Sequence, residues 1–261
     1  MTRPVTIITG ASAGIGAELA RIFASHGHEL VLIARREHAL TALADEIAAT
    51  GKPRPLVLAM DLGAGGNAGR IGEELAKHDL AVQFVVNNAG FGLLGRADSL
   101  ARDEQLAMID LNVRVLTELS LAFIPSVTRE RGGILNVASV AGFLPGPGMA
   151  VYYASKAFVV SFTEALYQEL KPQGVRVTVL CPGPVPTEFQ ARAGVPGQLG
   201  PSILERDAHF VATAGYRGLM SGRRMVVPGW PNLLATLLPR FLPRGWAVRI
   251  MDRVQVRRFG P

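Results

Sequence analysis

Short apolar runs alternate along the chain with stretches whose apolar residues recur at the three-to-four spacing of one helix face. The runs are rich in Val, Ile and Leu, which is typical of strands buried on both faces of a parallel sheet. Strands are predicted at Val5–Thr9, Leu30–Ala34, Pro55–Met60, Phe84–Asn87, Gly133–Val137 and Val175–Leu180. Helices are predicted at Gly14–His26, Glu37–Thr50, Ala68–His78, 102–127 and Tyr152–Leu170. This alternation indicates an α/β fold, a Rossmann-type doubly wound parallel sheet covered by helices on both faces.

Length and composition indicate one folded domain followed by a distinct tail. The 261 residues are 49% hydrophobic and 18% charged, which is typical of a chain with a large buried core and excludes a disordered protein. We therefore predict a single Rossmann-fold domain over residues 1–228 and a basic, amphipathic helical tail over residues 229–261.

The formal net charge of +6 is concentrated in this tail. One acidic residue, Asp252, stands there against six basic ones, which are Arg240, Arg244, Arg249, Arg253, Arg257 and Arg258. Because the rest of the chain is close to neutral, the charge does not indicate a nucleic-acid partner.

Apolar residues of the tail recur at helical spacing. They are Leu233, Leu234, Leu237, Leu238, Phe241, Trp246, Ile250 and Val254. Pro239 and Pro243 interrupt the pattern, so we predict two or three short amphipathic helices. Such helices have three candidate roles: packing against the domain or a sister subunit, closing over a substrate pocket, and peripheral contact with an anionic membrane.

The N-terminal residues and the single cysteine bear on the compartment. The chain begins without the basic leader, apolar core and cleavage site of a signal peptide, and no apolar stretch is long enough to span a membrane. Cys181 has no second cysteine to pair with, and five scattered histidines offer no metal-ligand cluster. We expect a cytoplasmic protein without a metal; Cys181 itself is predicted to be a core residue at a strand end.

A glycine-rich segment joins the first predicted strand to the first predicted helix. After Thr9 it comprises Gly10, Ala11, Ser12, Ala13, Gly14, Ile15 and Gly16. Gly10 permits a sharp turn, Gly14 lets backbone N–H groups approach a pyrophosphate, and Gly16 allows helix and strand to pack closely. The position predicts a dinucleotide-binding loop, although a glycine-rich turn also occurs where only the turn is needed.

Two arginines follow the second predicted strand, where an NAD-binding protein commonly carries an acid for the ribose 2′-hydroxyl. Guanidinium groups bind phosphate through paired, charge-assisted hydrogen bonds, so Arg35 and Arg36 favour NADP(H). The alternative is that they form a solvated basic start of a helix.

Further polar and small residues follow other strands. Asp61, next to Leu62, is placed to accept from an adenine amine, and Asn88, Ala89 and Gly90 let the backbone pass close to a cofactor. Each of these is also an ordinary turn former.

The ends of four strands are predicted to meet. Gly10, Asn88, Ser139 and Pro182 each follow an apolar run, and the carboxyl ends of parallel strands share one edge of a sheet, where ligands bind.

Tyr152 and Lys156 carry the most specific chemistry. Residues four apart lie on the same face of a helix, and a fixed ammonium favours the phenolate, so Lys156 is expected to lower the pKa of Tyr152. A tyrosine with a lowered pKa is a usable general acid or base. By chance alone the same spacing yields an aromatic ring beside a solvated amine. Tyr153 lacks the four-residue spacing to Lys156.

With these residues in place, the chain resembles the single-domain branch of the short-chain dehydrogenase/reductase family over about residues 4–230. The resemblance rests on the order and spacing of Thr9-Gly10-x-x-x-Gly14-x-Gly16, Asn87-Asn88-Ala89-Gly90, Asn112, Ser139, Tyr152-x-x-x-Lys156 and Pro182-Gly183-x-Val185-x-Thr187.

The resemblance implies a role for each catalytic position. Tyr152 would exchange a proton with the carbonyl or alcohol oxygen, and Ser139 would hydrogen-bond that oxygen. Lys156 would bind the nicotinamide ribose as well as acting on the Tyr152 pKa. Asn112 would kink a helix and hold a water in a proton relay from Lys156 to solvent. The segment containing Pro182, Gly183, Val185 and Thr187 would fix the nicotinamide carboxamide, and a homodimer or homotetramer is implied.

Residues 188–222 resemble the family's variable substrate-covering segment, and we predict a mobile lid there with bends at Gly194, Pro196, Gly197, Gly200 and Pro201. With Phe143, Leu144 and Met149 opposite, the lid predicts an apolar substrate pocket.

The leading hypothesis is therefore an NADP(H)-dependent oxidoreductase that interconverts a small-molecule ketone or aldehyde and its alcohol. Two other classes remain open. One is a non-catalytic NADP(H)-binding sensor or scaffold whose tail engages a partner or membrane. The other is a nucleotide-sugar epimerase or dehydratase, which normally needs a larger substrate domain.

Overall fold

The protein is built on a parallel sheet that holds the predicted strands. A computed structural model describes residues 2–195, 202–237 and 243–259. Within these ranges the strands are β1 Arg3–Thr9, β2 Glu29–Ala34, β3 Leu56–Ala59, β4 Leu80–Asn87, β5 Gly133–Val137, β6 Arg176–Leu180 and β7 Met225–Val226. They pair in parallel in the order β3-β2-β1-β4-β5-β6-β7. The strand order reverses between β1 and β4, which is where ligands bind in such sheets.

Helices cover both faces of the sheet. They are α1 Gly14–Ser25, α2 Glu37–Ala49, α3 Asn67–Lys77, α4 Arg102–Ile109, α5 Leu116–Arg129, α6 Ala150–Leu170, α7 Glu188–Arg192, α8 Ala208–Met220, α9 Trp230–Leu237 and α10 Arg244–Phe259. Neighbouring strand residues point to opposite faces, so Ile8 packs in one core layer with α1, α2 and α8, while Ile7 packs in the other with α3, α5 and α6. The predicted doubly wound α/β fold and its helical extension are confirmed.

The fourth strand is longer than predicted. β4 begins at Leu80 rather than at Phe84, and Leu80, Ala81 and Val82 are buried. Gln83 interrupts the apolar run that the prediction relied on; its amide donates to the Glu130 carbonyl oxygen at 3.2 Å. Because Gln83 is polar, the apolar pattern did not indicate the first four residues of β4.

The predicted helix over 102–127 is three segments. Residues Asp110–Val115 form a π-helical turn between α4 and α5, and Asn112 lies in it with its side chain fully buried. Such a wide turn is a common cause of a bend in a helix, which agrees with the kink expected at Asn112.

Part of the predicted lid is core. α8 buries Val211, Ala212 and Leu219 against the sheet and α1, and the Tyr216 ring meets the Phe23 ring edge-on at 4.8 Å. This amount of apolar burial is typical of a core helix, and the lid over residues 188–222 stays a prediction. The predicted bends at Pro196, Gly197, Gly200 and Pro201 lie outside the described residues; Gly194 has a left-handed φ of 73°.

The tail forms two helices in its described parts, α9 and α10. α9 buries Asn232 and Thr236 and exposes an apolar stripe made of Trp230, Leu233, Leu234 and Leu237. The predicted positions Leu238, Pro239 and Phe241 lie outside the described residues. Within the described ranges, no helix combines the length and the hydropathy that crossing a bilayer requires.

Candidate active site

A cleft of about 1100 Å³ opens at the carboxyl edge of the sheet. Nearly all of the predicted site residues line it, namely Gly10, Ser12, Ala13, Gly14, Ile15, Arg35, Arg36, Asp61, Leu62, Asn88, Ala89, Gly90, Ser139, Tyr152, Lys156, Pro182, Gly183, Val185 and Thr187. Gly16 and Asn112 are the two that do not. They lie behind the wall of the cleft and contact residues that line it: Gly16 lies against Gly10, and Asn112 hydrogen-bonds Phe91.

The glycine-rich loop is shaped to receive an anion. Gly10 and Gly14 have left-handed φ angles of 66° and 55°, which favour glycine. Ala13 precedes α1 in an extended conformation and gives the helix no side-chain cap, and the first turn carries no acid. Backbone N–H groups at the start of α1 are thus left for a bound phosphate, which is the arrangement that a dinucleotide requires. Gly16 lies under the loop, where an added Cβ would come within 2.3 Å of the Gly10 carbonyl oxygen.

The loop is tied to β4 by side chains. Asn88 donates from its amide to the carbonyl oxygens of Thr9 and Gly10 at 3.0 and 3.1 Å. In return the Thr9 hydroxyl accepts from the backbone N–H groups of Asn88 and Ala89 at 3.0 and 3.1 Å. Asn88 therefore holds the two strand ends together while it lines the cleft.

The end of β2 presents its arginines to the cleft. Arg36 Nη2 forms an ion pair with Glu188 Oε2 at 2.7 Å and contacts the Ser12 hydroxyl and carbonyl oxygens at 3.3 Å each. Arg36 therefore contacts the glycine-rich loop and α7 at the cleft, and it also immediately precedes α2 with its side chain 42% exposed, so both interpretations of the arginines stay predictions. Asp61 caps a short turn, since its Oδ1 accepts from the Gly63 N–H at 2.8 Å, and it also lines the cleft.

Tyr152 and Lys156 lie on the buried face of α6. Tyr152 and Lys156 are only 8% and 5% exposed. Lys156 Nζ donates to the Val137 carbonyl oxygen at 2.9 Å, which anchors the ammonium to the end of β5. The Ser139 hydroxyl accepts from Ala141 N–H at 3.1 Å and donates to the Pro182 carbonyl oxygen at 3.4 Å. Ser139 and Tyr152 both line the cleft.

Burial changes the acid–base properties of this pair. It raises the pKa of Tyr152 to about 12, against a smaller lowering by the Ser139 hydroxyl, and it lowers the pKa of Lys156 to about 8. The expectation that Lys156 lowers the Tyr152 pKa is therefore not met in the protein alone. The Lys156 ammonium lies 5.9 Å from the centre of the Tyr152 ring, and desolvation outweighs its charge. Tyr152 is protonated at neutral pH.

Asn112 supports the cleft from behind. Its Oδ1 accepts from Phe91 N–H at 3.1 Å, and its amide donates to the Phe91 carbonyl oxygen at 2.9 Å and to Ser155 Oγ at 3.1 Å. Asn112 thus fixes the chain that carries Gly90 beside Lys156, while its role in a water relay stays a prediction. Ser155 escaped the sequence analysis. Its only signal was its place three residues after Tyr152 on the same buried helix face.

α7 brings further side chains that the sequence analysis had not singled out. The Phe189 ring lies 5.4 Å from the Tyr152 ring, and the Arg192 guanidinium lies 4.3 Å over the Phe91 ring. The segment is too short for a periodic pattern, and its contacts join distant parts of the chain, so only the generic lid prediction pointed to it.

Two of the three predicted pocket residues line the cleft. Leu144 and Met149 do, but Phe143 packs instead against the buried cluster that contains Val159. The short helical turn Val140–Phe143 directs it to the α6 side. Asn232 of the tail is fully buried and packs directly against Gly183, where its side chain leaves no room for a Cβ.

Comparison with known proteins identifies the family of the chain. Residues 4–195 match the family model described as short chain dehydrogenase. Sulfoacetaldehyde reductase 2 of Chromohalobacter salexigens is 39% identical and covers 78% of this chain and 81% of its own.

Solved structures show the same fold. A short-chain dehydrogenase of Sphingobium yanoikuyae in complex with NADPH is 30% identical, with a TM-score of 0.80 over 98% of this chain and 95% of its own. A short chain dehydrogenase/reductase of Burkholderia phymatum in complex with NAD is 27% identical, with a TM-score of 0.80 over 100% of this chain and 97% of its own. By its matched sequence, its sheet and its relatives, the chain belongs to the short chain dehydrogenase family, and it is an oxidoreductase that acts on CH–OH or C=O groups with a nicotinamide cofactor.

Proposed function

We propose that the protein is an NADP(H)-dependent oxidoreductase that interconverts a ketone or aldehyde and its alcohol on an apolar substrate. The observation that carries the proposal is the burial of Tyr152 and Lys156 on one face of α6, at the wall of a cleft that Ser139 also lines. When bound, the nicotinamide supplies or accepts the hydride.

Tyr152 is the proton donor for reduction. Burial keeps its phenol protonated at neutral pH, so it can transfer that proton to a carbonyl oxygen as negative charge develops there. The Ser139 hydroxyl stabilises the same oxygen by a second hydrogen bond. Oxidation needs the phenolate instead, which burial disfavours.

The remaining residues hold the cofactor and carry its proton relay. The start of α1 and its loop would bind the pyrophosphate, Lys156 the nicotinamide ribose, and Arg35 with Arg36 a 2′-phosphate. Asn112 would hold the relay water, and the segment from Pro182 to Thr187 would fix the carboxamide.

Exchanging the two arginines tests the cofactor preference. Arg35→Asp combined with Arg36→Ala is expected to raise the Kd of NADPH by about 100-fold, because two charge-assisted hydrogen bonds are lost. The Kd of NADH is expected to change by less than about threefold, since NADH has no 2′-phosphate for these residues to bind. Titration of protein fluorescence with each cofactor measures both values.

A matched pair of exposed arginines controls for charge. Arg70→Asp combined with Arg102→Ala makes the same change away from the cleft and should leave both Kd values as they are. Equal weakening of NADPH and NADH in the cleft variant would contradict the proposal.

A panel of carbonyl compounds tests the apolar substrate. Phe91, Leu93, Leu144, Met149 and Phe189 line the cleft close to the catalytic tyrosine. In a series of methyl ketones, kcat/KM is expected to rise about fourfold for each added methylene that enters this pocket, since burying one CH2 contributes about 0.8 kcal/mol. NADPH absorbance follows the reaction.

Sulfoacetaldehyde belongs in the same panel, because a 39% identical relative is named for it. A preference for that small anionic aldehyde over the longer ketones would overturn the proposal of an apolar substrate.

We also propose a homodimer or homotetramer in the cytoplasm. The apolar stripe of α9 offers a surface for a sister subunit, and peripheral contact of the basic tail with an anionic membrane is the alternative. Light scattering with and without anionic vesicles separates the two. The only cysteine, Cys181, is buried, which suits a reducing compartment.

A further inference from the structure

One ion pair joins the two walls of the cleft at its mouth. Arg36 stands at the end of β2, and Glu188 is the first residue of α7 on the opposite wall. Glu188 Oε2 lies 2.7 Å from Arg36 Nη2, the same nitrogen that lies 3.3 Å from the Ser12 hydroxyl and carbonyl oxygens. One guanidinium group therefore contacts the glycine-rich loop and α7 together.

The ion pair is not needed to hold α7 in place. The Arg36 and Glu188 side chains are 42% and 66% exposed, and exposed pairs contribute little to stability. The start of α7 is held by other contacts: the Thr187 hydroxyl caps it by accepting from Phe189 N–H, and Thr187 packs against Gly14, where a Cβ would lie 3.1 Å from Thr187 Cγ2. The Glu188 carboxylate is thus available to interact with a cofactor that binds beside Arg36.

We propose that Glu188 determines cofactor selectivity, because its carboxylate competes with the 2′-phosphate of NADP(H) for the Arg36 guanidinium. This rests on the proposed function, in which Arg36 binds that phosphate. A phosphate near Arg36 has to displace the carboxylate and is repelled by it, so the residue weakens NADP(H). NAD(H) lacks the 2′-phosphate and meets no such competition. Glu188 therefore reduces the preference for NADP(H) over NAD(H) that Arg35 and Arg36 alone would give.

The charge-neutral variant Glu188→Gln tests the competition. It is expected to lower the Kd of NADPH by about fivefold and to change the Kd of NADH by less than about twofold, since only the phosphate competes. Fluorescence titration at low ionic strength measures both, because salt screens exposed charges. Thermal unfolding, which this exposed substitution should leave unchanged, shows that the variant is folded.

Two controls isolate the ion pair. Glu73 is an exposed carboxylate on α3 away from the cleft, and Glu73→Gln should leave both Kd values unchanged. In an Arg36→Ala background, Glu188→Gln should improve NADPH binding by less than about twofold, because the shared guanidinium is gone.

Three outcomes would overturn the inference: an unchanged NADPH Kd in Glu188→Gln, an equal gain for NADH, and an undiminished gain without Arg36. The wild-type Kd ratio tests the proposed function separately. A wild type that binds NADH more tightly contradicts NADP(H) dependence, yet a gain in Glu188→Gln confined to NADPH still supports the competition. A preference for NADPH that Glu188→Gln does not alter would leave the function standing and refute the role of Glu188.

Discussion

Tyr152→Phe is expected to lower kcat for carbonyl reduction by about 1000-fold, because it removes the proton that the carbonyl oxygen receives. The phenyl ring keeps the packing against Phe189 and the 8% exposed position on α6, so the fold should be unchanged. The Kd of NADPH is expected to stay within about twofold, since the lost hydroxyl is aimed at the substrate oxygen. Single-turnover kinetics with saturating NADPH measures the chemical step directly.

Tyr153→Phe is the matched control for Tyr152→Phe. Tyr153 is the next residue on α6, its ring lies 6.2 Å from the Tyr152 ring, and it also lines the cleft. Because it lacks the four-residue spacing to Lys156, its loss of a hydroxyl is expected to change kcat by less than about fivefold. Turnover retained in Tyr152→Phe would remove the assignment of the proton donor. Tight NADPH binding by the wild type with no turnover of any carbonyl compound would favour the sensor hypothesis.

Lys156→Met is expected to abolish activity and yet make the protein more stable. Burial lowers the Lys156 pKa from 10.5 to about 8, so the folded protein holds this proton more weakly than the unfolded chain does. The free-energy cost of burying the charged ammonium is fully present below pH 8. It decreases as the pH rises and is gone above pH 10.5, where Lys156 is uncharged in both the folded and the unfolded protein. A methionine of similar length avoids it. After allowance for the lost bond to the Val137 carbonyl oxygen, we expect a free energy of unfolding about 2 kcal/mol higher at pH 7.

Urea unfolding at pH 7 and pH 10 measures this stability difference, which should be largest at pH 7 and should narrow at pH 10. Lys171→Met is the control, because Lys171 is exposed just beyond the end of the same helix and its replacement should change the free energy of unfolding by less than about 0.5 kcal/mol. A Lys156→Met protein that is less stable than the wild type, or a difference that is constant with pH, would show that burial does not penalise this ammonium.

Activity of Lys156→Met is expected to fall by about 1000-fold, since the charge beside Tyr152 and the anchor for the ribose are lost together. Lower activity together with higher stability would show that Lys156 is required for function although its burial lowers the stability of the fold.

Local patterns were sufficient for much of the fold and for most of the site. The strands and helices follow from residue spacing alone, because periods of two and 3.6 residues decide which side chains share a face. The convergence of Gly10, Asn88, Ser139 and Pro182 on one edge follows from the parallel order of the strands. Gly16 was predicted from its place in the glycine-rich loop and Asn112 from the family resemblance, and both lie behind the wall of the cleft.

Long-range contacts decided the features that spacing could not. The polar Gln83 interrupted the apolar pattern at the start of β4. The Asp110–Val115 π-helical turn contains Asn112, which hydrogen-bonds the distant residues Phe91 and Ser155. α8 was predicted to be part of a lid because it lies in the Ala-, Gly- and Leu-rich segment where the family has its lid. In the structure its apolar face is buried against α1 and the sheet.

The sequence by itself determined the fold class, the glycine-rich loop and the four-residue spacing of Tyr152 and Lys156, because all of these depend on neighbours along the chain. Only the tertiary structure decided that burial raises the Tyr152 pKa, that Glu188 reaches Arg36 across the cleft, and that α9 turns Asn232 inward. The physical reason is that desolvation and ion pairing depend on which distant segments exclude water and bring charges together, and spacing along the chain does not encode either.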